Sequence, residues 1–296
     1  MNTISGSTGG KQKVHGTEVS IAIPASIVSD TPHLREKTSK IGAIGRTAAI
    51  FKVEEIIIYP DNAKANQTRE TDLITLLLSY METPQYLRKR LFKLEPELQY
   101  AGILPPLRTA HHPLERTIRR LRVGEYREGV TLSKEREGTL VDVGVEQPAL
   151  ILNEYLPIGQ RITVKIQKID KQVQVELADR DEIRGFWGYS VTKEKQSFGK
   201  MLKSRKFDLT IATSRLGTSF AEVAEEISAR WRSAKTALVA FGAPNQGLHE
   251  IARFEGLVLE DIVDFVVNTI PSQGTETVRT EEALIASLAV LNVRLY

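Results

Sequence analysis

The chain has 296 residues, 41% of them hydrophobic and 26% charged, and carries a net charge of +3. That is the make-up of a soluble globular protein of one large or two ordinary domains, and no apolar run nears the roughly 20 residues that span a bilayer. Cysteine is absent, which excludes disulfides, thiolate metal sites and thiol nucleophiles and fits a reducing, cytoplasmic setting.

Residues 1–17 are polar and rich in Gly, Ser and Thr, lack the apolar core of a signal peptide, and read as a flexible tail. From 19 to about 112 the pattern predicts strand–helix–strand–helix. Residues 19–23 alternate as a strand and stop at Pro24. Thr31 and Pro32 offer a capping hydroxyl and a first-turn proline, and the helix after them places Leu34, Ile41, Ile44, Ala48 and Phe51 on one stripe. Gly42 and Gly45 lie inside that helix. Each costs about 1 kcal/mol relative to Ala, so the pair predicts close approach of another backbone or a ligand. Residues 56–59 predict a buried strand, 70–82 a helix, and Thr83 with Pro84 the start of the next one.

Beyond Arg108 the character changes. Segments 139–145, 161–166 and 173–177 alternate as short strands between polar turns, the pattern of a small all-β barrel of OB type. Such a barrel does not by itself establish a role. Helix–strand alternation resumes at Phe207, with a strand over 208–212 and a capping box, Ser219 to Glu222, that opens a helix buried through Phe220, Val223, Ala224 and Ile227. The predicted organisation is thus an α/β domain in two pieces, 18–114 and 191–296, interrupted by a barrel over 115–190. Basic residues crowd both edges of the insert: Arg116, Arg119, Arg120, Arg122 and Arg127 before it, Lys193, Lys195, Lys200, Lys203, Arg205 and Lys206 after it. These runs are either solvated faces or a phosphate-binding face.

The last fifth of the chain is the most informative. Residues 238–248 and 265–283 each begin as an apolar run of buried-strand type and stop in a loop of Gly, Pro and Gln. With 213–218 they predict three walls of one small-molecule pocket at the carboxyl ends of parallel strands, where glycines let main-chain groups approach a flat heterocycle. Each loop alone is equally well an ordinary turn. There is no phosphate-binding glycine–lysine loop, zinc-binding HExxH helix or GxSxG nucleophile elbow. The GxxG at 42–45 resembles the RNA-clamping loop of KH domains, but inside a helical stripe it reads as packing. His111 and His112 are not read as a metal site.

Residues 241–248 and 268–283 closely resemble the SPOUT class of RNA methyltransferases, and more narrowly its archaeal and eukaryotic branch of RNA uridine-N3 methyltransferases. Segments 46–56 and 104–108, and Thr213 with Ser214, extend the resemblance over nearly the whole chain from Val19. It implies a trefoil-knotted parallel sheet, a homodimer with the active site near the subunit interface, and S-adenosylmethionine bound bent within the knot. By the same resemblance Phe241, Gly242, Asn268, Thr269 and Ile270 would hold the adenine. Gly247, Gln273, Gly274 and Thr275 would shape the ribose and methionine end, and Thr213 and Ser214 would border the methyl group. Methylating uridine N3 requires loss of a proton, and an arginine suits the anion that forms. Arg46 is the first candidate, Arg279 the second, and Glu276 the candidate base. Arg46 equally suits an ion pair on a dimer face, and Arg279 equally suits neutralising Glu281 and Glu282, acids that suit a helix start. The expected partner is RNA, most readily ribosomal, with the insert and its arginines supplying phosphate contacts; neither a membrane nor a metal is expected. The rival expectations are a non-catalytic RNA-binding or assembly protein that keeps the fold, and a small-molecule enzyme with the barrel as a lid.

Overall fold

The computed structural model describes residues 16–295, so the predicted tail lies outside the described residues except for its last two. The chain opens with β1 (Glu18–Pro24), α1 (Leu34–Ile50), β2 (Val53–Tyr59), α2 (Thr68–Glu82) and α3 (Gln85–Leu91). Five strands follow: β3 (Tyr126–Glu135), β4 (Gly138–Asp142), β5 (Ala149–Leu152), β6 (Arg161–Ile169) and β7 (Val173–Leu177). Then come β8 (Ser190–Lys193), α4 (Phe198–Ser204), β9 (Leu209–Ser219), α5 (Phe220–Ser233), β10 (Thr236–Ala240), α6 (Leu248–Phe254), β11 (Phe265–Asn268) and α7 (Thr280–Leu295).

Six strands form one sheet in the order β11-β9-β10-β1-β2-β8, and every pairing is parallel. Side chains alternate between the faces of a strand. Ile21, Ile23, Ile56, Ile58, Ile211 and Val239 pack with Ile41, Leu77, Ile227 and Leu288 of α1, α2, α5 and α7. Ala22, Ile57, Tyr59, Leu238 and Ala240 pack on the other side with Phe198 and Met201 of α4 and Leu248 and Ile251 of α6. Both faces are covered, which is why these strands read as unbroken apolar runs. Each fully buried Ile or Leu contributes about 1.5–3 kcal/mol.

Gly42 and Gly45 do what their cost implied. A Cβ on Gly42 would lie 2.9 Å from Pro105 Cδ, and one on Gly45 would lie 2.7 Å from the Tyr189 hydroxyl and 2.9 Å from Met81 Sδ. Two helix starts differ from expectation. α1 begins at Leu34 with His33 as N-cap and no side-chain cap; Thr31 lies three residues before the helix, and its Oγ1 donates to Asp30 Oδ1. Ser219 precedes α5 but makes no capping bond: it is the last residue of β9 and pairs with Asn268. Burial of Phe220, Ala224, Ile227 and Trp231 holds that helix in place of the cap.

The middle strands close a five-stranded barrel in the order β3-β4-β5-β7-β6, antiparallel except for the β5–β7 pair. Val141, Val143, Ile151, Val164, Ile166, Val173 and Val175 fill it. After the barrel the chain returns to the large sheet as β8, beside β2.

A buried polar joint ties the barrel to the α/β body. Arg161 on β6 donates to both carboxylate oxygens of Glu82 (2.6 and 3.1 Å) at the end of α2, and to Glu128 Oε2 (2.6 Å) on β3. Glu128 Oε1 also accepts from Thr163 Oγ1 (2.8 Å) and Trp187 Nε1 (2.7 Å). The Nε2 atoms of His111 and His112 lie 3.0 and 2.6 Å from the Glu82 carbonyl oxygen. Burial pushes the Glu82 carboxyl up, but the His111 and Arg161 bonds outweigh it and hold the group at about 2. Gly188 (φ 92°) passes so close that a Cβ there would lie 2.5 Å from Glu82 Oε1. Among the described residues no helix is long and apolar enough to cross a membrane, and no group of His, Cys, Asp or Glu is arranged to hold a metal ion.

Candidate functional site

The site forms where three neighbouring parallel strands end. In β9, Ala212 pairs with Val266, yet the next pairing joins Thr218 to Val267. Residues 213–217 therefore swell out of the strand and rejoin it, so the segment predicted as a loop is a bulge within β9. Gly217 lets it return: a Cβ there would sit 2.7 Å from both Val266 O and Val267 N. β10 stops at Ala240 and turns tightly, with Ala243 N donating to Gln246 O (2.8 Å). A Cβ on Gly242 would come within 3.0 Å of Gly247 Cα and Leu248 N. β11 stops at Asn268, and Ser272 adopts φ 60° in the loop beyond it.

Between these segments lies a cavity of ≈ 390 Å³. Of the residues expected to hold a ligand, Thr213, Ser214, Phe241, Gly242, Gly247, Asn268, Thr269, Ile270 and Gln273 line it, whereas Gly274 and Thr275 do not. Hydrogen bonds to loop carbonyls set its shape. Thr213 Oγ1 donates to Ala240 O (2.9 Å), Thr280 Oγ1 to Gly242 O (3.1 Å) and Arg215 Nη1 to Glu276 O (2.7 Å). Asn268 works in both directions: Nδ2 donates to Arg215 O (3.0 Å) and Oδ1 accepts from Ile270 N (3.0 Å). Underneath, the buried Tyr59 hydroxyl donates to Phe241 O (2.7 Å). Burial, with Asp61 nearby, pushes that phenol well above its ordinary range and keeps it a donor. A Cβ on Gly247 would meet nothing within 4 Å, so its main chain stands bare.

The predicted catalytic residues are spread out. Glu276 is exposed on the cavity lining. Arg279 is exposed just before α7, and its backbone N–H donates to Glu282 Oε2 (3.0 Å), so Glu282 serves the helix start as expected. Arg46 does not line the cavity. Its Nη1 donates to Pro106 O (3.1 Å) and Leu107 O (2.5 Å), which joins two of the segments that carried the resemblance. Of the expected RNA contacts, Arg116, Arg119, Arg120 and Arg122 are exposed, with Arg120 paired to Glu115 (2.7 Å). Arg127 is buried. Its Nε bonds Glu125 Oε1 (2.8 Å) and its Nη1 the carbonyls of Glu115 and Val143, so its charge is spent inside the insert.

Sequence reading placed Arg215 on a pocket wall but missed Tyr59, His249 and Ser287. Ser287 lines the cavity and shares a hydrogen bond with Thr269 Oγ1 (2.7 Å). A lone serine within the Ala/Leu run of α7 was the one signal in the sequence. The others come from segments whose spacing says nothing of their meeting.

Residues 18–291 match the profile of a family described as "Putative RNA methyltransferase". The chain is 33% identical to a 28S rRNA (uridine-N(3))-methyltransferase of Drosophila melanogaster, over 96% of this chain and 64% of that protein, just under two thirds of its length. It is 33% identical to the Mus musculus protein of the same description, over 92% of this chain and 75% of that one. An uncharacterized protein of Halobacterium salinarum is 32% identical, with 93% and 98% covered.

Proposed function

The chain belongs to this RNA methyltransferase family, and from that premise we propose that it methylates N3 of a uridine in ribosomal RNA, using S-adenosylmethionine. The observation that carries the reading is the main-chain-lined cavity at the ends of β9, β10 and β11, built from the segments that match the family. The cavity fits the donor. Gly217 holds its wall at a separation that no side chain permits and Gly242 at one that few do, and bare backbone at Gly247 faces open space, as a flat ring held by peptide groups requires. Phe241, Gly242 and Asn268 to Ile270 would take the adenine, Gly247 and Gln273 the ribose and methionine end, and Thr213 and Ser214 the methyl side. When bound, the donor supplies a methyl group activated on a sulfonium.

What the chain adds is alignment, which contributes roughly 7–11 kcal/mol in favourable cases, and charge placement. A paired uridine hides N3, so the target is single-stranded or flipped out. The barrel's strand order, with its one parallel pair, supports an OB-type module that presents RNA to the cavity. Exposed Arg116, Arg119, Arg120 and Arg122 at its root suit phosphate contacts. α7 returns across the sheet edge, bonded through Thr280 to Gly242 and packed against both α1 and α5, which supports a SPOUT-type knot. Ile285 and Val293 of α7 and Ile50 of α1 are exposed apolar residues on helices that touch. They support a homodimer in which one protomer's Arg46 serves its partner's cavity.

Calorimetric titration with S-adenosylmethionine, followed by mapping of a labelled methyl group in unmodified large-subunit rRNA, tests the reading. Micromolar donor binding and label at uridine N3 are expected. Donor binding without transfer to any RNA would overturn catalysis in favour of an assembly role.

A further inference from the structure

Uridine N3 bears a proton that must leave before or as the methyl arrives, and among the described residues no carboxylate is buried in the cavity to take it. Glu276, the carboxylate expected from sequence, is exposed on the lining. Another group is better placed. Ser214 and His249 both line the cavity. Ser214 Oγ lies 3.1 Å from His249 Nδ1, and His249 Nε2 lies 2.9 Å from Glu260 Oε1.

The hydrogen positions follow from the partners. Glu260, held below the usual carboxylate range by a backbone bond and the His249 bond, is an acceptor, so the imidazole hydrogen belongs on Nε2. Nδ1 is then an acceptor and must receive the Ser214 hydroxyl hydrogen. Ser214 Oγ meanwhile accepts from Leu216 N (3.1 Å), which turns its own hydrogen toward the ring. All three links agree on one direction of proton flow, from the cavity outward.

We propose that Ser214, His249 and Glu260 form the proton relay of the reaction, an inference that rests on the uridine-N3 reading above. N3–H gives its proton to Ser214 Oγ as the Ser214 proton passes to His249 Nδ1. The N3 electron pair forms the bond to the methyl carbon while the carbon–sulfur bond breaks and its pair stays on sulfur. The positive charge lost at sulfur reappears on the imidazolium, faces the Glu260 carboxylate, and leaves to solvent from a ring that is 27% exposed. Ser214 touches the reacting atoms; His249 acts through it and Glu260 orients the ring. The charged groups on elements packed against α6 are Arg215, Glu260, Asp261, Lys200 and Lys203. Glu250 and Arg253 on α6 itself approach one another at 3.9 Å, and Glu276 stands across the cavity. Among the described residues Glu260 is the one of these that bonds the imidazole.

Two measurements test the relay. In the ligand-free protein, ¹⁵N ring shifts of His249 should show the Nε2–H tautomer, and Glu260→Gln, whose amide can donate as well as accept, should let the Nδ1–H tautomer appear beside it. In single-turnover methylation of unmodified rRNA, His249→Gln should slow transfer roughly 100-fold or more near neutral pH. That deficit should close as the pH rises far enough for the uracil imide to ionise unaided, with donor affinity within about threefold of wild type. A deficit equal at every pH, or none, overturns the relay and leaves His249 a strut. If the wild type methylates no uridine N3, the functional reading falls first. The ring measurement then decides alone, and an Nδ1–H tautomer in the wild type, or a tautomer balance unmoved by Glu260→Gln, overturns the relay as well.

Discussion

At the ends of β9, β10 and β11 the chain offers peptide groups, and the side chains around them serve by holding carbonyls in place: Thr213 on Ala240, Thr280 on Gly242, Tyr59 on Phe241. At the root of the barrel the relation is reversed. There the side chains themselves are the structure, with Glu82 and Glu128 buried on either side of Arg161 and capped by His111, His112 and Trp187. A site made of backbone fails when atoms are added to it. A joint made of buried charges fails when one is taken away, because the partner left behind keeps its desolvation cost and loses its counter-charge.

The joint should show the larger effect. Glu82→Ala is expected to cost about 3–5 kcal/mol, read as a lower midpoint in urea unfolding; a loss below about 1 kcal/mol would mean that the barrel is held by its apolar contacts alone. At the cavity, Gly242→Val should weaken S-adenosylmethionine roughly 100-fold, about 2.7 kcal/mol, in a calorimetric titration. Gly274→Ala, beside open space and off the lining, should change affinity less than about twofold. Equal effects of the two would move the donor elsewhere.

The pH dependence sharpens the same contrast. Burial, with His111 adding to it, pushes His112 down to about 4. Its folded-state value lies below the unfolded one, so between these values the unfolded chain binds the extra proton. Stability present above pH 6.5 is therefore lost as the pH falls toward 4, by roughly 3 kcal/mol. His112→Gln should flatten that window in urea titrations at stepped pH. The smallest effect belongs to the surface. Replacing Arg119, Arg120 and Arg122 together should weaken rRNA binding about tenfold and lower the salt slope by roughly 0.7 per lost phosphate contact. An unchanged slope would take them out of the interface.

The two regions also differ in how far they could be read in advance. Gly242, Gly247 and Asn268 announce a site because glycine and a broken apolar run leave a local mark, and the strands before them are legible for the same reason. The bulge at 213–217 left no such mark: it exists because β11 pairs with β9 on both sides of it, a fact of tertiary structure. Nothing local in the sequence marks Glu82, Glu128 and Arg161 as buried. Only the docking of the barrel onto α2 buries them. Arg127 was misjudged the same way, as one more member of a basic run, although its position on β3 turns it inward. The Ser214–His249–Glu260 contact spans three segments with no fixed spacing, so no local pattern could have joined them.

The place of β1 has a consequence for how the protein is made. It is the first strand among the described residues and lies inside the sheet, with β2 on one side and β10, roughly 200 residues later, on the other. At about 5–20 residues per second, synthesis leaves that second edge without its partner for roughly 10–40 s. Through that interval an apolar strand with unpaired amides must be shielded by α1, α2 or a chaperone, and closure of the central pair is late and slow because its contacts are so distant in sequence. The nascent chain should thus be most prone to aggregate after the barrel has emerged and before β10 has.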